Sequence, residues 1–364
     1  MVKGMNFEPI LLTMSWLDPL YAAFGFVMRS LYDVFHNYGI VIIIFTIMLR
    51  AIMIPLGVKQ YKGTIKQQGM SKELEEIKRK YGTNKEEMQK AQQALYAKTG
   101  FSPLAGCLPS IVQLIIIWPV YRIISAPLVH IMGVSTEQIG KLVDVNGVKT
   151  ATGLTKIVYD LGLMTEAAAK SANIMNIPIV NALNDSVEVL SKALSQGLIK
   201  VGQLIDLDFL GMNLGLNPTY KPDILFGKDT MAKYLPLLII PILAVITTWA
   251  SLKVSQWTAP NRKQLLEAKE RAKKNPAKNA QETPDPTAGM TKSMTYFMPL
   301  FTLWITFTMP AAMGLYWVIG NIMSMVQQYL LYFLISKRAE VKQVAITKDT
   351  NIKDTNIKLA AKSK

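Results

Sequence analysis

Residues 41–60 read VIIIFTIMLRAIMIPLGVKQ. A run this apolar has the length of a membrane-crossing helix, since about 20 helical residues span ~30 Å of hydrocarbon. Inside it sits one arginine, Arg50. A central arginine costs about 2.5–3.5 kcal/mol on insertion scales, so the position needs a compensating environment. The bland solution is a side chain that snorkels to the cytoplasmic headgroups. Lys59 lies nine residues on, about 14 Å along a helix rising 1.5 Å per residue. That is a long reach, and Pro55 and Gly57 intervene.

The rest of the chain fits a membrane setting. It has 364 residues, is 50% hydrophobic and carries a formal charge of +15. That pairing points to an integral membrane protein with basic faces toward anionic lipid or RNA. A single cysteine, Cys107, excludes an internal disulfide, and two histidines, His36 and His130, argue against a metal cluster. Neither a GxxxxGK[ST] loop nor a GxSxG elbow occurs, so no enzyme activity, cofactor or metal is expected. The N-terminus MVKGMNFEPILLTMSW lacks a small-residue cleavage site and a cysteine that could take a lipid. No cleaved signal peptide is expected.

Five segments have the length and apolarity of spans: 38–57, 105–125, 232–253, 295–311 and 313–335. The last two are nearly continuous, and MPAAMG at 309–314 supplies a helix–helix turn. Charge orients them. Residues 57–102 carry ten Lys/Arg, 253–295 nine and 336–364 eight, against 12 acids in the same segments. Residues 126–233 carry nine Lys and ten acids. The basic segments belong on the cytoplasmic side. The expected fold is therefore all-α and polytopic, with five membrane spans, N-out and C-in.

The connecting segments complete the domain plan. Residues 1–37 hold an amphipathic helix with the stripe Trp16, Leu20, Phe24, Val27, Leu31 and Phe35, suited to the outer interface. Its rival reading is a helix packed on the outer segment. Residues 58–104 read as a cytoplasmic helical hairpin, helices 62–81 and 84–99 around YGTN, with Leu74, Ile77, Met88 and Leu95 as a thin apolar stripe. Residues 126–231 read as an outer helical cap with stretches at 156–172 and 184–205 and no assigned role. The loop 254–294 starts helical and is expected to turn disordered where Pro276, Pro284 and Pro286 accumulate. The tail 336–364 is basic and poor in apolar anchors.

The spans contain no Asp or Glu to neutralise Arg50, which leaves water as its compensating environment. Thr46 lies four residues before it on the same helix face. Gln113, Ser251, Asn321, Gln327 and Gln328 add polar groups in other spans. Each alone is ordinary interhelical glue; with an arginine they point to a hydrophilic cavity that attracts anions. Three classes stay open on the residues alone: a site for acidic polypeptide segments, an anion channel or transporter, and a structural assembly subunit of a larger membrane complex.

Four ordered blocks sharpen the reading: FTIMLRAIMIPLGVKQYK, SPLAGCLPSIVQLIIIWPVYRII, FLGMNLGLNP and MPAAMGLYWVIGNIMSMVQQYLL. Together they resemble the YidC/Oxa/Alb membrane-protein insertases, over about residues 15–130 and 205–336, and the compact start resembles the Gram-positive branch. Two features depart from that branch: no lipoprotein cysteine precedes the first span, and the outer segment is longer. The resemblance implies an insertase and chaperone with a water-filled, positively charged inner-leaflet groove. Arg50 and Thr46 would line it with Trp317 on the facing wall, and Gln113 matches a polar position of the second block; Ser251 and Gln327 join the groove on the residue reading above. Implied partners are nascent membrane proteins and lipids, with the ribosome (through the basic tail and loops) and the Sec translocon as further candidates, and no DNA.

Overall fold

The structure, a computed structural model, describes residues 17–81, 84–100, 104–259, 270 and 286–337. Among these the chain is helical apart from two short β-hairpins. Trp16, most of the loop 254–294 and the tail beyond Lys337 lie outside the described residues.

The chain divides into two compact units. The first takes in Met1–Leu49, Ser110–Ile246 and Met298–Gly320. Its core is aliphatic: Met28, Ile42, Ile123, Leu128, Ile139, Leu154 and Ile179 are fully buried. These residues come from the N-terminal helix, two apolar helices and the cap, so the cap shares its hydrophobic interior with the helices beneath it.

The N-terminal helix, Asp18–Phe35, uses both of its sides. Gly25, Met28 and Tyr32 are buried, and Gly25 lies so close to the His130 carbonyl that a Cβ would clash. The Tyr32 hydroxyl accepts from the Asp206 amide at 2.9 Å. Of the expected stripe, Phe24, Val27 and Leu31 pack against the core, whereas Phe35 is exposed along with Phe26 and Val34. The buried face is therefore rotated from the one the stripe marks, because packing on the cap selects its smallest and longest residues.

The cap departs from its expected helices. The stretch 156–172 divides into Gly153–Asp160 and Glu166–Lys170, with Gly162 at φ +70° turning the chain between them. The stretch 184–205 divides at Ser186, which ends Ile177–Asp185 and whose hydroxyl accepts from Val189 N to start Val187–Ser195. Two hairpins, Leu142–Val145 with Val148–Ala151 and Asp208–Phe209 with Met212–Asn213, were not anticipated. The first turns on Asn146–Gly147, a pair whose preference for such loops is a strong sequence signal.

The run 295–335 breaks between Pro286–Thr308 and Ala311–Leu331. The first amides of the second helix, Ala311 and Ala312, donate to the carbonyls of Leu216 and Leu214, both at 2.9 Å. Donors that a helix start leaves unsatisfied are thus capped by the loop of the FLGMNLGLNP block. Pro286 opens a helix, contrary to the disorder expected there. At a first helical position the missing amide has no intrahelical partner to lose.

The second unit takes in Arg50–Pro109, Thr247–Phe297 and Asn321–Lys364. Its hairpin consists of Ile54–Gly69, Ser71–Tyr81 and Lys85–Thr99. The first arm starts earlier than 62 and breaks at Met70. Asn84 caps the last helix, its side chain accepting from the amides of Glu86 and Glu87. Leu74, Ile77, Met88 and Leu95 are half-buried, as a narrow two-helix seam requires.

Among the described residues, two helices are long and apolar enough to cross a membrane. They are Met231–Trp257, with a mean hydropathy of 2.1, and Ala311–Ile335, at 1.4. The bent pair Tyr38–Ile52 and Ile54–Ile65 makes a third if it is counted as one span. Leu104–Ser125 and Pro286–Thr308 cover the other two expected stretches, each with side chains outside the described residues.

Candidate functional site

In the second unit side-chain hydrogen bonds join polar groups of three helices, one of them at Arg50. Arg50 stands in the last turn of Tyr38–Ile52 and is half-buried. Its Nη1 donates to Ser324 Oγ at 3.0 Å. One turn earlier on that partner helix, Asn321 Nδ2 donates to Thr248 Oγ1 at 2.9 Å and to Thr247 Oγ1 at 3.2 Å. Ser251, half-buried, follows one turn below Thr247. Gln327 Nε2 lies against Gly57, so closely that a Cβ there would collide with it. The buried Oε1 of Gln328 has no hydrogen-bond partner among the described residues, and such an acceptor favours added water or a donor from outside.

The layer pairs nitrogen donors with hydroxyl acceptors. The Arg50 guanidinium and the Asn321 amide donate, and the hydroxyls of Ser324, Thr247 and Thr248 accept. The helices that carry the layer turn other faces outward as broad apolar surface. Ile242, Ile246 and Trp249 are exposed on one, and Ile322, Val326, Tyr329 and Phe333 on another. Soluble proteins seldom leave such stripes uncovered. Toward the Trp257 end the unit closes with aromatics: Trp257 stacks on Tyr329 with centroids 6.2 Å apart and meets Tyr332 at 5.7 Å.

Of the residues expected at the site, Arg50, Ser251 and Gln327 belong to this unit. Thr46 and Trp317 belong to the first unit. Thr46 is fully buried and its hydroxyl donates back to the Ile42 carbonyl at 2.6 Å, so its hydrogen is committed within its own helix. Trp317 is half-buried. Gln113 lies in Leu104–Ser125 with its side chain outside the described residues.

Sequence reading passed over Ser324, Thr247 and Thr248. The signal was there: Asn321, Ser324 and Gln328 recur at three- and four-residue spacing, which is one helix face. It also passed over a second arginine in an apolar helix, Arg122. That side chain sits in the last turn of Leu104–Ser125 and its Nη2 donates to the Asn173 carbonyl at 3.4 Å. A cation at a helix C-terminus faces the negative end of the helix dipole, which gives Arg122 a structural explanation.

Comparison with known proteins follows the same direction. A family model described as 60Kd inner membrane protein matches residues 30–338. The membrane protein insertase YidC of Caldanaerobacter subterraneus subsp. tengcongensis is 24% identical over 294 residues, 81% of this chain and 84% of that protein. The membrane protein insertase YidC of Syntrophus aciditrophicus is 33% identical over 120 residues, and that of a Geobacter species 32% over 121. These two matches cover 33% of this chain and only 22% of those proteins' own lengths.

Proposed function

Because this chain belongs to the 60Kd inner membrane protein family, we propose that it is a membrane-protein insertase and chaperone, not an enzyme. The reading has five spans, N-out and C-in, with the N-terminal helix at the outer interface. The concentration of Lys and Arg in the segments 57–102, 253–295 and 336–364 supports that orientation.

The observation that carries the function is the Arg50–Ser324 bond within a polar layer, on helices that also present exposed apolar faces. A short hydrophilic or acidic segment of a client needs replacement of its hydration before it can enter a membrane. Arg50, Ser324, Asn321, Ser251 and Gln327 offer donors and wetted surface for that exchange. The following apolar helix of the client then moves along the exposed Ile, Val and Trp faces into lipid. Burial of apolar area, ~25 cal/mol per Å², drives the step, so no nucleotide is needed. Clients are nascent membrane proteins. The basic loops and tail offer charge for ribosomal RNA or anionic lipid, and cooperation with the Sec translocon belongs to the same proposal.

The test is reconstitution of the purified chain in liposomes with a single-span client bearing an acidic outer tail. Protease protection of the tail reports insertion. Wild type and Arg50→Lys are expected to protect it, and Arg50→Ala to lose most of the protection. Equal protection by all three removes Arg50 from the mechanism. No gain over empty liposomes refutes the insertase reading for acidic clients.

A further inference from the structure

The two β-hairpins of the first unit share a backbone and differ in what they carry at the tip. Each closes on a two-residue loop with positive φ at both positions, Asn146 at 53° and Gly147 at 82° in one, Leu210 at 52° and Gly211 at 76° in the other. That geometry favours Asn-Gly, and the first hairpin has it. A leucine in the left-handed region is strained by roughly 1 kcal/mol. Leu210 nevertheless occupies it and is 82% exposed. Within this unit it gains neither backbone ease nor burial.

Both hairpins have an apolar pair next to the turn, and they differ in the turn residues. The second has Asp208 paired with Asn213 at its base and Phe209 paired with Met212 next to the apolar tip. In the first, Leu142 pairs with Ala151 at the base, Asp144 with Lys149 beyond it and Val145 with Val148 next to the tip, and the tip itself is Asn146–Gly147. One is built to end in water and the other is not.

Beside Leu210 runs a shallow apolar groove lined also by Met212, Leu235, Leu238, Ile239 and Ile242. The last four lie on the Met231–Trp257 span, whose exposed face continues through Leu243 and Ile246. Hydrocarbon covers that face in a membrane, and the groove opens at its N-terminal end without interruption.

We infer that the Leu210–Gly211 tip is a membrane wedge: acyl chains of the leaflet on the cap's side fill this groove, and Leu210 lies among them. With Asp208 at the headgroups, a tip two residues further on reaches about 7 Å deeper at ~3.4 Å per residue. Interfacial elements penetrate to about 5–10 Å. The long cap is thereby seated on the membrane at a second point besides its spans, whatever the clients are.

Single cysteines at 210 and at 146, in the full chain carrying Cys107→Ala, would be labelled with a nitrobenzoxadiazole probe and reconstituted in phosphatidylcholine vesicles. The label at 210 is expected to be blue-shifted, quenched by lipids brominated on the acyl chain, and several-fold less quenched by aqueous iodide than the label at 146. Equal iodide quenching at the two sites overturns the wedge. Shielding of the 210 label from both quenchers also overturns it, since protein, either a second copy or a client, would then fill the groove. A companion variant, Leu210→Asn, suits the turn better and is expected to raise the thermal midpoint in detergent, which shows that the hairpin forms independently of lipid. A fall in that midpoint would mean that Leu210 is held by protein packing, against the inference.

Discussion

Two glycines show how the same substitution meets different neighbours. A Cβ on Gly25 would strike the backbone carbonyl of His130, whereas one on Gly57 would strike the end of the Gln327 side chain. Backbone cannot yield without moving a helix, while an amide tip swings away. Gly25→Ala is expected to cost about 1–3 kcal/mol and Gly57→Ala to be near neutral, read as shifts in thermal midpoint in detergent. His130 offers a second test. Burial, with a smaller contribution from the Arg122 charge, pushes its imidazole down to about 4, below the ordinary value near 6.5. Between those values the unfolded chain binds the extra proton. The stability from a neutral His130 is therefore complete above pH ~6.5 and is lost as pH falls toward 4, by about 2 kcal/mol at pH 5. Lowering pH from 7 to 5 should reduce the thermal midpoint of wild type more than that of His130→Gln; parallel curves would assign the acid loss elsewhere.

At the scale of elements, caps decide where helices stop and start. Asn84 accepts from two first-turn amides of Lys85–Thr99, so Asn84→Ala should destabilise that arm by about 1 kcal/mol. Hydrogen exchange in 85–99 is expected to accelerate roughly five-fold on that basis, with exchange in the cap unchanged. The helical hairpin was legible because apolar residues recur at helical spacing between caps. The Asn146–Gly147 hairpin was equally legible from its turn pair, yet its short strands were overlooked among helical neighbours. The breaks at Gly162 and Ser186 also had local signals, a left-handed glycine after one helix and a serine capping the next, overlooked within stretches otherwise favourable to helix. The Leu210 hairpin was illegible in principle, because its turn contradicts local preference and its exposed apolar tip acquires meaning only beside the Met231–Trp257 span.

For the molecule as a whole, charge asymmetry is the strongest orienting feature. Cysteines placed at 90 and at 353 should react with an impermeant maleimide only after inner-membrane permeabilisation. One at 146 should react in intact spheroplasts; labelling of 90 from outside would reverse the proposed topology. Membrane class and the anomaly of Arg50 were determined by the sequence alone, since hydropathy and charge are sums over neighbouring residues that need no fold to evaluate. The arrangement around the arginine was decided by tertiary structure. Its bond to Ser324 joins residues 274 apart in the chain, and no local spacing encodes such a pairing. Asn321 likewise meets Thr247 and Thr248 from more than 70 residues away, because which helix faces meet depends on side-chain fit between segments distant in sequence.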